Sequence, residues 1–176
     1  MQQKIVLIGG PGTGKTSVLN ELVTRGFCCK IEISREVTLN AQAKGIDQLF
    51  LTKPILFSEL LLKSRVQQFL EADKSEEALV FFDRGIPDVE AYLNYFKTAH
   101  PSFFSEKSRQ YKYDKVFMFS PWEEIYTTDN ERYESFEESV AINHFVENTY
   151  KKLGYTIQKV PFGNIKERAN FILNSL

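Results

Sequence analysis

The sequence predicts an α/β fold of three layers, a parallel β-sheet with helices on both faces. Three observations carry that expectation. First, the short apolar run Ile5 to Ile8 leads into Gly9-Gly10-Pro11-Gly12-Thr13-Gly14-Lys15-Thr16, and a helical pattern follows from Ser17. Strand, glycine-rich loop and helix in that order form a phosphate-binding loop, because the loop's N–H groups and the helix dipole converge on one point. Second, five short strand candidates alternate with helical stretches: Lys4–Ile8, Cys29–Ile33, Ala78–Phe82, Lys115–Phe119 and Thr156–Val160. That alternation is the signature of βαβ units and parallel pairing. Third, Ala78 to Phe82 is apolar throughout, as a central strand covered on both faces requires.

The helices have legible ends. The first runs from the glycine-rich loop to about Arg25, with Gly26 placed to stop it. Pro54 opens the next clear one, whose stripe Ile55, Leu56, Leu60, Leu62, Val66, Phe69 and Leu70 repeats largely at helical spacing. Pro87 suits a first helical turn, with Asp88 and Glu90 near its positive end. Ser135 and Glu138 form a capping box for a helix that ends near Gly154, and Asn164 with Glu167 caps the last one.

A length of 176 residues suits one domain over 1–176, and 43% hydrophobic residues supply a normal core. The net charge of −1 shows no basic bias, which argues against a nucleic-acid partner. No apolar run reaches the roughly 20 residues of a membrane span, and the first strand starts too early for a leader peptide. Cys28 and Cys29 are adjacent, a spacing that rarely bridges, so a reducing compartment, the cytoplasm, is expected.

Four stretches carry chemistry. In the glycine-rich loop, Gly10, Pro11, Gly12, Thr13, Gly14, Lys15, Thr16 and Ser17 are the nucleotide-binding candidates. Lys15 reaches the β- and γ-phosphates, and the Thr16 hydroxyl takes Mg²⁺. At the end of the apolar strand stands Asp83, on the edge of the sheet where ligands bind, and it is the second candidate for Mg²⁺. Arg84 beside it suits a phosphate or substrate anion. After the second strand come Glu32 and Arg35. A carboxylate there can accept a proton from an attacking hydroxyl, and an arginine can hold oxygens in a fork, but the pair also reads as a surface salt bridge. Trp122 to Arg132 is polar and long enough for a lid over a triphosphate, spanning about 121–135, with Arg132 as its cation; it reads equally as a solvated loop. His100 and His144 stand alone and read as structural.

These residues resemble a known family, the P-loop predicted ATPases with a small AAA-like domain. It includes the kinase domain of NadR-type nicotinamide riboside kinases and the animal TRPL-translocation-defect proteins. The matching pieces are Gly9–Thr16, Glu32-x-x-Arg35-Glu36, Phe81–Asp88 with Ala91-Tyr92-Leu93, Pro121–Tyr126, Asp129–Arg132, Leu153–Tyr155, Val160-Pro161 and Glu167-Arg168. The resemblance implies a nucleoside-kinase-like fold with strand order 2-3-1-4-5 and a small lid. It also implies ATP as the nucleotide, Glu32 as the catalytic base and Asp83-Arg84 as the acidic-arginine pair ending the third strand. Departures matter too. There is no HxGH motif of a nucleotidyltransferase, and the chain leaves no room for the sensor regions of ring-forming AAA ATPases.

The leading expectation is a Mg²⁺-dependent kinase that moves the γ-phosphate of ATP to a hydroxyl of a nucleoside- or riboside-like acceptor. Lys15, Glu32, Asp83 and Arg132 would carry the chemistry. Helices around Leu39–Leu49 and Ile55–Leu70 would wall the acceptor, with Arg65 and Gln68 as polar readers. The base is expected near Pro161–Asn164, with Phe162 available to stack. The alternative is a nucleotide-dependent switch with slow ATP or GTP hydrolysis and a protein or lipid partner. Its GTP form lacks an N/T-K-x-D motif: Thr52-Lys53-Pro54 begins one, and Ile55 stands where the acid belongs.

Overall fold

Strand β1 (Gln3–Ile8) lies in the middle of the fold because both of its faces are apolar. Side chains alternate across a strand. Ile5 and Leu7 therefore face one helical layer and Val6 and Ile8 the other, all fully buried. The first layer is α1 (Lys15–Thr24) and α8 (Ile165–Asn174), which contribute Val18, Leu19, Leu22, Ala169 and Ile172. The second is built from α4 (Pro54–Ala72), α5 (Ile86–Tyr95), α6 (Phe103–Gln110) and α7 (Phe136–Lys152), through Leu62, Phe69, Val89, Leu93, Phe104, Val146 and Tyr150. This computed structural model describes residues 2–43, 45–46, 49–126 and 134–176.

The remaining strands are β2 (Cys28–Lys30), β3 (Leu79–Asp83), β4 (Lys115–Phe119) and β5 (Ile157–Val160). All pairings are parallel, as the strand–helix alternation predicts, and the order is β2-β3-β1-β4-β5, as the family resemblance implies. Leu7 pairs with Asp83 and Ile8 with Met118, so the strands' C-terminal ends gather on one edge. That edge receives the loops that lead into α1, α5 and the 121–135 region.

Two elements differ from the sequence expectation. β2 ends at Lys30 instead of Ile33, and the next helix, α2 (Ser34–Gln42), begins well before Leu39. One side chain accounts for both. Glu32 Oε1 accepts hydrogen bonds from the N–H groups of Ile33 and Ser34, each at 3.0 Å. The carboxylate pulls the chain out of the extended form and satisfies donors at the start of the helix. A short α3 (Leu49–Thr52) follows. The capping boxes at Ser135 and Asn164 form as expected, with Glu138 N donating to Ser135 Oγ at 3.2 Å and Glu167 N donating to Asn164 Oδ1 at 3.0 Å. Among the described residues, no helix is long and apolar enough to cross a membrane.

Candidate active site

The glycine-rich loop turns between β1 and α1 with Gly9, Gly12 and Gly14 at positive φ. Gly12 and Gly14 have a spatial reason as well. A Cβ on Gly12 would lie 2.5 Å from the Tyr126 ring, and one on Gly14 would lie 2.6 Å from Arg168 Nη1. The Tyr126 ring leaves no room for a side chain at Gly12, and at Gly14 the positive φ of 84 itself favours glycine.

Inside the loop, Lys15 Nζ donates to the carbonyls of Gly10 (2.7 Å) and Gly9 (3.1 Å) and to Thr13 Oγ1 (3.1 Å). Burial, and then the nearby positive charge of Arg84, push its pKa down to about 7. A buried ammonium facing three oxygens suits an incoming polyphosphate, which restores its charge. Thr16 Oγ1 donates to Asp83 Oδ2 at 2.6 Å. Burial pushes the Asp83 carboxyl above the usual range, against the pull of Lys15. Its other oxygen, Oδ1, is buried and has no hydrogen-bond partner among the described residues. A buried anionic oxygen without a donor calls for a cation, so Thr16 and Asp83 fit Mg²⁺. Among the described residues, no group of three or more His, Cys, Asp or Glu gathers to hold a metal by itself. A sparse site of one hydroxyl and one carboxylate is the kind Mg²⁺ uses when substrate phosphates complete it.

The neighbouring part of the site is organised by Glu32. Its Oε2 lies 2.6 Å from Arg84 Nε, and its Oε1 accepts from Arg65 Nη2 at 3.1 Å. Burial raises the carboxyl's pKa, but the two guanidinium groups and the Ser34 N–H outweigh it, so Glu32 stays ionised below the usual carboxylate range. Arg65 is 4% exposed and also donates from Nη1 to the Gly85 carbonyl at 2.9 Å. Arg84 has φ 68, the left-handed region where a non-glycine residue is strained. Its side chain uses that turn to reach back to the phosphate loop, with Nη1 donating to the Gly9 carbonyl at 3.2 Å, and its guanidinium lies over the Tyr92 ring. Behind it, fully buried Asp88 accepts from Gly85 N (2.9 Å) and from Tyr150 Oη (2.7 Å).

The predicted residues divide accordingly. Lys15, Thr16, Asp83, Arg84, Glu32 and Arg65 come together at one edge of the sheet. Arg35 is exposed on the first turn of α2. Gln68 is half-buried and donates to the Ile31 carbonyl at 2.9 Å. Arg132 lies outside the described residues. A cleft of about 800 Å³ opens beside the loop, lined by Gly12, Gly14, Ser17, Trp122, Ile125 and 163–166 with Arg168. At its rim the Trp122 and Phe162 rings stack with centroids 5.1 Å apart. Arg168, quoted above only as part of a short motif, donates to the Thr13 carbonyl at 2.9 Å and lies over the Phe119 ring. Sequence reasoning assigns no site role to Tyr126, Ser139 and Asn143, which pack on the phosphate loop, or to Asp88 and Tyr150, which stand behind Arg84. Their roles arise from contacts across more than one hundred positions or between separate helices, and no local spacing reveals them.

Comparison with known proteins fits this geometry. No curated protein matches the chain. Among solved structures, deoxyadenosine kinase from M. mycoides with products dCMP and dCDP bound superposes with TM-score 0.70, at 16% identity over 98% of each chain. Thymidylate kinase from Ehrlichia chaffeensis superposes at TM-score 0.65 and 15% identity, over 99% of this chain and 98% of that one. NadR in complex with NAD and AMP-PNP superposes at TM-score 0.71 and 16% identity over 99% of this chain, which spans 48% of NadR. At such identities the likeness shows a shared fold. The family model described as "AAA domain" matches residues 4–168, nearly the whole chain, and the protein belongs to that family.

Proposed function

We propose that this protein is a Mg²⁺-dependent kinase that transfers the γ-phosphate of ATP to a hydroxyl of a nucleoside- or riboside-like acceptor, working as one domain with a lid over 121–135. One observation supports this above the others. Arg84 links Glu32 (2.6 Å) and the Gly9 carbonyl of the phosphate loop (3.2 Å), so an ionised carboxylate stands beside the place where a terminal phosphate would lie. A nucleotide switch has no need of such a carboxylate. An acceptor hydroxyl does.

Glu32 accepts the hydroxyl's hydrogen bond and orients the oxygen. Arg65, Arg84 and two backbone N–H groups make it a weak base, which suits a loose transition state in which the nucleophile needs aim more than early deprotonation. Lys15, charged once it faces phosphate, balances the negative charge spreading over the transferring group. Thr16 and Asp83 would hold Mg²⁺, which when bound neutralises charge on the phosphate oxygens. Arg132 is the proposed lid cation. Arg65 acts through Glu32, by holding it. The adenine would occupy the cleft between Gly14, Trp122 and the Gly163–Arg168 turn, and the rings of Trp122 and Phe162 give it a stacking edge.

The test is ADP release from Mg-ATP across a panel of ribosides and deoxynucleosides, with Lys15→Ala as the blank. An acceptor that raises the rate about a hundredfold over water, a barrier difference of about 2.7 kcal/mol, identifies the kinase. A flat panel with tight nucleotide binding refutes it and favours a nucleotide-dependent switch with a protein or lipid partner.

A further inference from the structure

The outer side of the phosphate loop is gripped residue by residue. Asn143 Oδ1 accepts from Gly10 N at 3.0 Å, and Ser139 Oγ donates to the Pro11 carbonyl at 2.6 Å. The Tyr126 ring closes on Gly12, and Arg168 holds the Thr13 carbonyl. The first two grips come from one helix. Ser139 and Asn143 lie one turn apart on the buried face of α7 and are 0% and 6% exposed. The packing leaves no slack: a Cβ on Gly10 would lie 2.5 Å from the Ser139 carbonyl, and one on Gly9 would strike the Phe119 carbonyl.

The same helix also reaches the acceptor side. Two turns beyond Asn143, Tyr150 donates to Asp88, which accepts from Gly85 N and whose other oxygen lies 3.6 Å from Arg84. From Ser139 to Tyr150 an α-helix rises about 16 Å. One rigid element therefore fixes the phosphate loop at one end and the support of Arg84 and Glu32 at the other.

We infer that α7 is the strut that sets the phosphate loop against the acceptor side, with Ser139 and Asn143 as positioning residues for phosphoryl transfer. Turning the Gly10 N–H and Pro11 carbonyl outward, onto α7, holds the loop curled so that the donors from Gly12 into the first turn of α1 stay aimed inward. Those donors have no intrahelical partner of their own. The loop is thus arranged before the nucleotide arrives, and binding need not order it. This inference rests on the nucleotide-binding reading of Gly9–Thr16.

The experiment compares Ser139→Ala, Asn143→Leu and the double variant with the unmutated protein. Mg-ATP affinity is measured by calorimetry, and amide hydrogen exchange is followed at Gly10 to Thr16 and in β1 and β4. The expected result is that each single variant raises the Kd about tenfold, the worth of leaving one buried polar group without its partner. Loop amides exchange faster while β1 and β4 keep their rates. The double variant loses less than the product of the two, because both grips hold the same short segment. A Kd within twofold of the original with unchanged loop exchange overturns the strut, and so does exchange that rises equally in loop and sheet, which is plain loss of stability. If the unmutated protein does not bind Mg-ATP, the nucleotide reading fails instead, and the exchange comparison still decides whether α7 holds the loop.

Discussion

Replacing Glu32 by Gln tests the acceptor side in two independent ways. The substitution keeps the shape and removes the charge that Arg65 and Arg84 share. Their side chains are 5% and 13% exposed, against 21% for Glu32. Breaking a buried ion pair by removing one partner costs about 3–5 kcal/mol, because the stranded charge stays buried. Partial exposure of Glu32, and Asp88 at 3.6 Å from Arg84, place this case at about 3 kcal/mol. For a domain of this size that lowers Tm by about 6–12 °C. Adding Arg65→Met removes one stranded cation, and about half of the lost Tm returns. Turnover behaves differently. Losing the group that orients and deprotonates the hydroxyl costs at least about a hundredfold in kcat, and the double variant does not recover it. Thermal scanning and ADP release with the acceptor found in the panel read the two arms. A Glu32→Gln protein that turns over like the original refutes the base. A Tm loss that Arg65→Met leaves untouched refutes the stranded-charge argument.

Three further predictions follow from the same geometry. With its pKa pushed down to about 7, Lys15 is about nine-tenths uncharged at pH 8, and a bound polyphosphate raises that pKa again. Mg-ATP binding then takes up close to one proton at pH 8 and almost none at pH 6, measured by calorimetry in buffers of different ionisation heat; equal uptake at both pH values contradicts the buried-lysine account. Asp83→Asn removes a charge that burial disfavours, so Tm holds or rises, while the Mg²⁺ concentration needed for half-maximal activity increases about tenfold. An unchanged Mg²⁺ requirement takes Asp83 out of the metal site. The chain has one tryptophan, Trp122, stacked on Phe162, so its fluorescence reports on the cleft proposed for the base. Mg-ATP shifts that emission and Mg-tripolyphosphate does not, and Phe162→Ala raises the ATP Kd about tenfold; an equal response to tripolyphosphate moves the base elsewhere.

What the sequence determined by itself is what local physics determines. Gly9–Thr16 declares its loop because glycine spacing, an apolar strand before it and a helix after it act within a dozen residues. Ile5–Ile8 and Leu79–Phe82 declare buried strands because covering both faces demands unbroken apolar character. Ser135 and Asn164 declare helix starts because a cap acts three residues ahead. These suffice for a parallel α/β sheet with its ligands on one edge, and Asp83 falls on that edge with them. Tertiary structure decided the rest. Whether Glu32 is a surface carboxylate or the centre of a buried cluster depends on Arg65 arriving from α4 and Arg84 turning at positive φ after β3. Glu32 also ends β2 early, an effect of one carboxylate on two N–H groups that no propensity encodes. Gln68 lies three residues after Arg65 and on the same side of α4, yet it donates to the Ile31 carbonyl while Arg65 reaches Glu32 and the Gly85 carbonyl, a difference that helical spacing does not set. Ser139 and Asn143 look like ordinary polar residues until folding brings Gly10 and Pro11, more than one hundred positions away, against them. A sequence shows which groups are available; only packing of distant elements decides which of them meet.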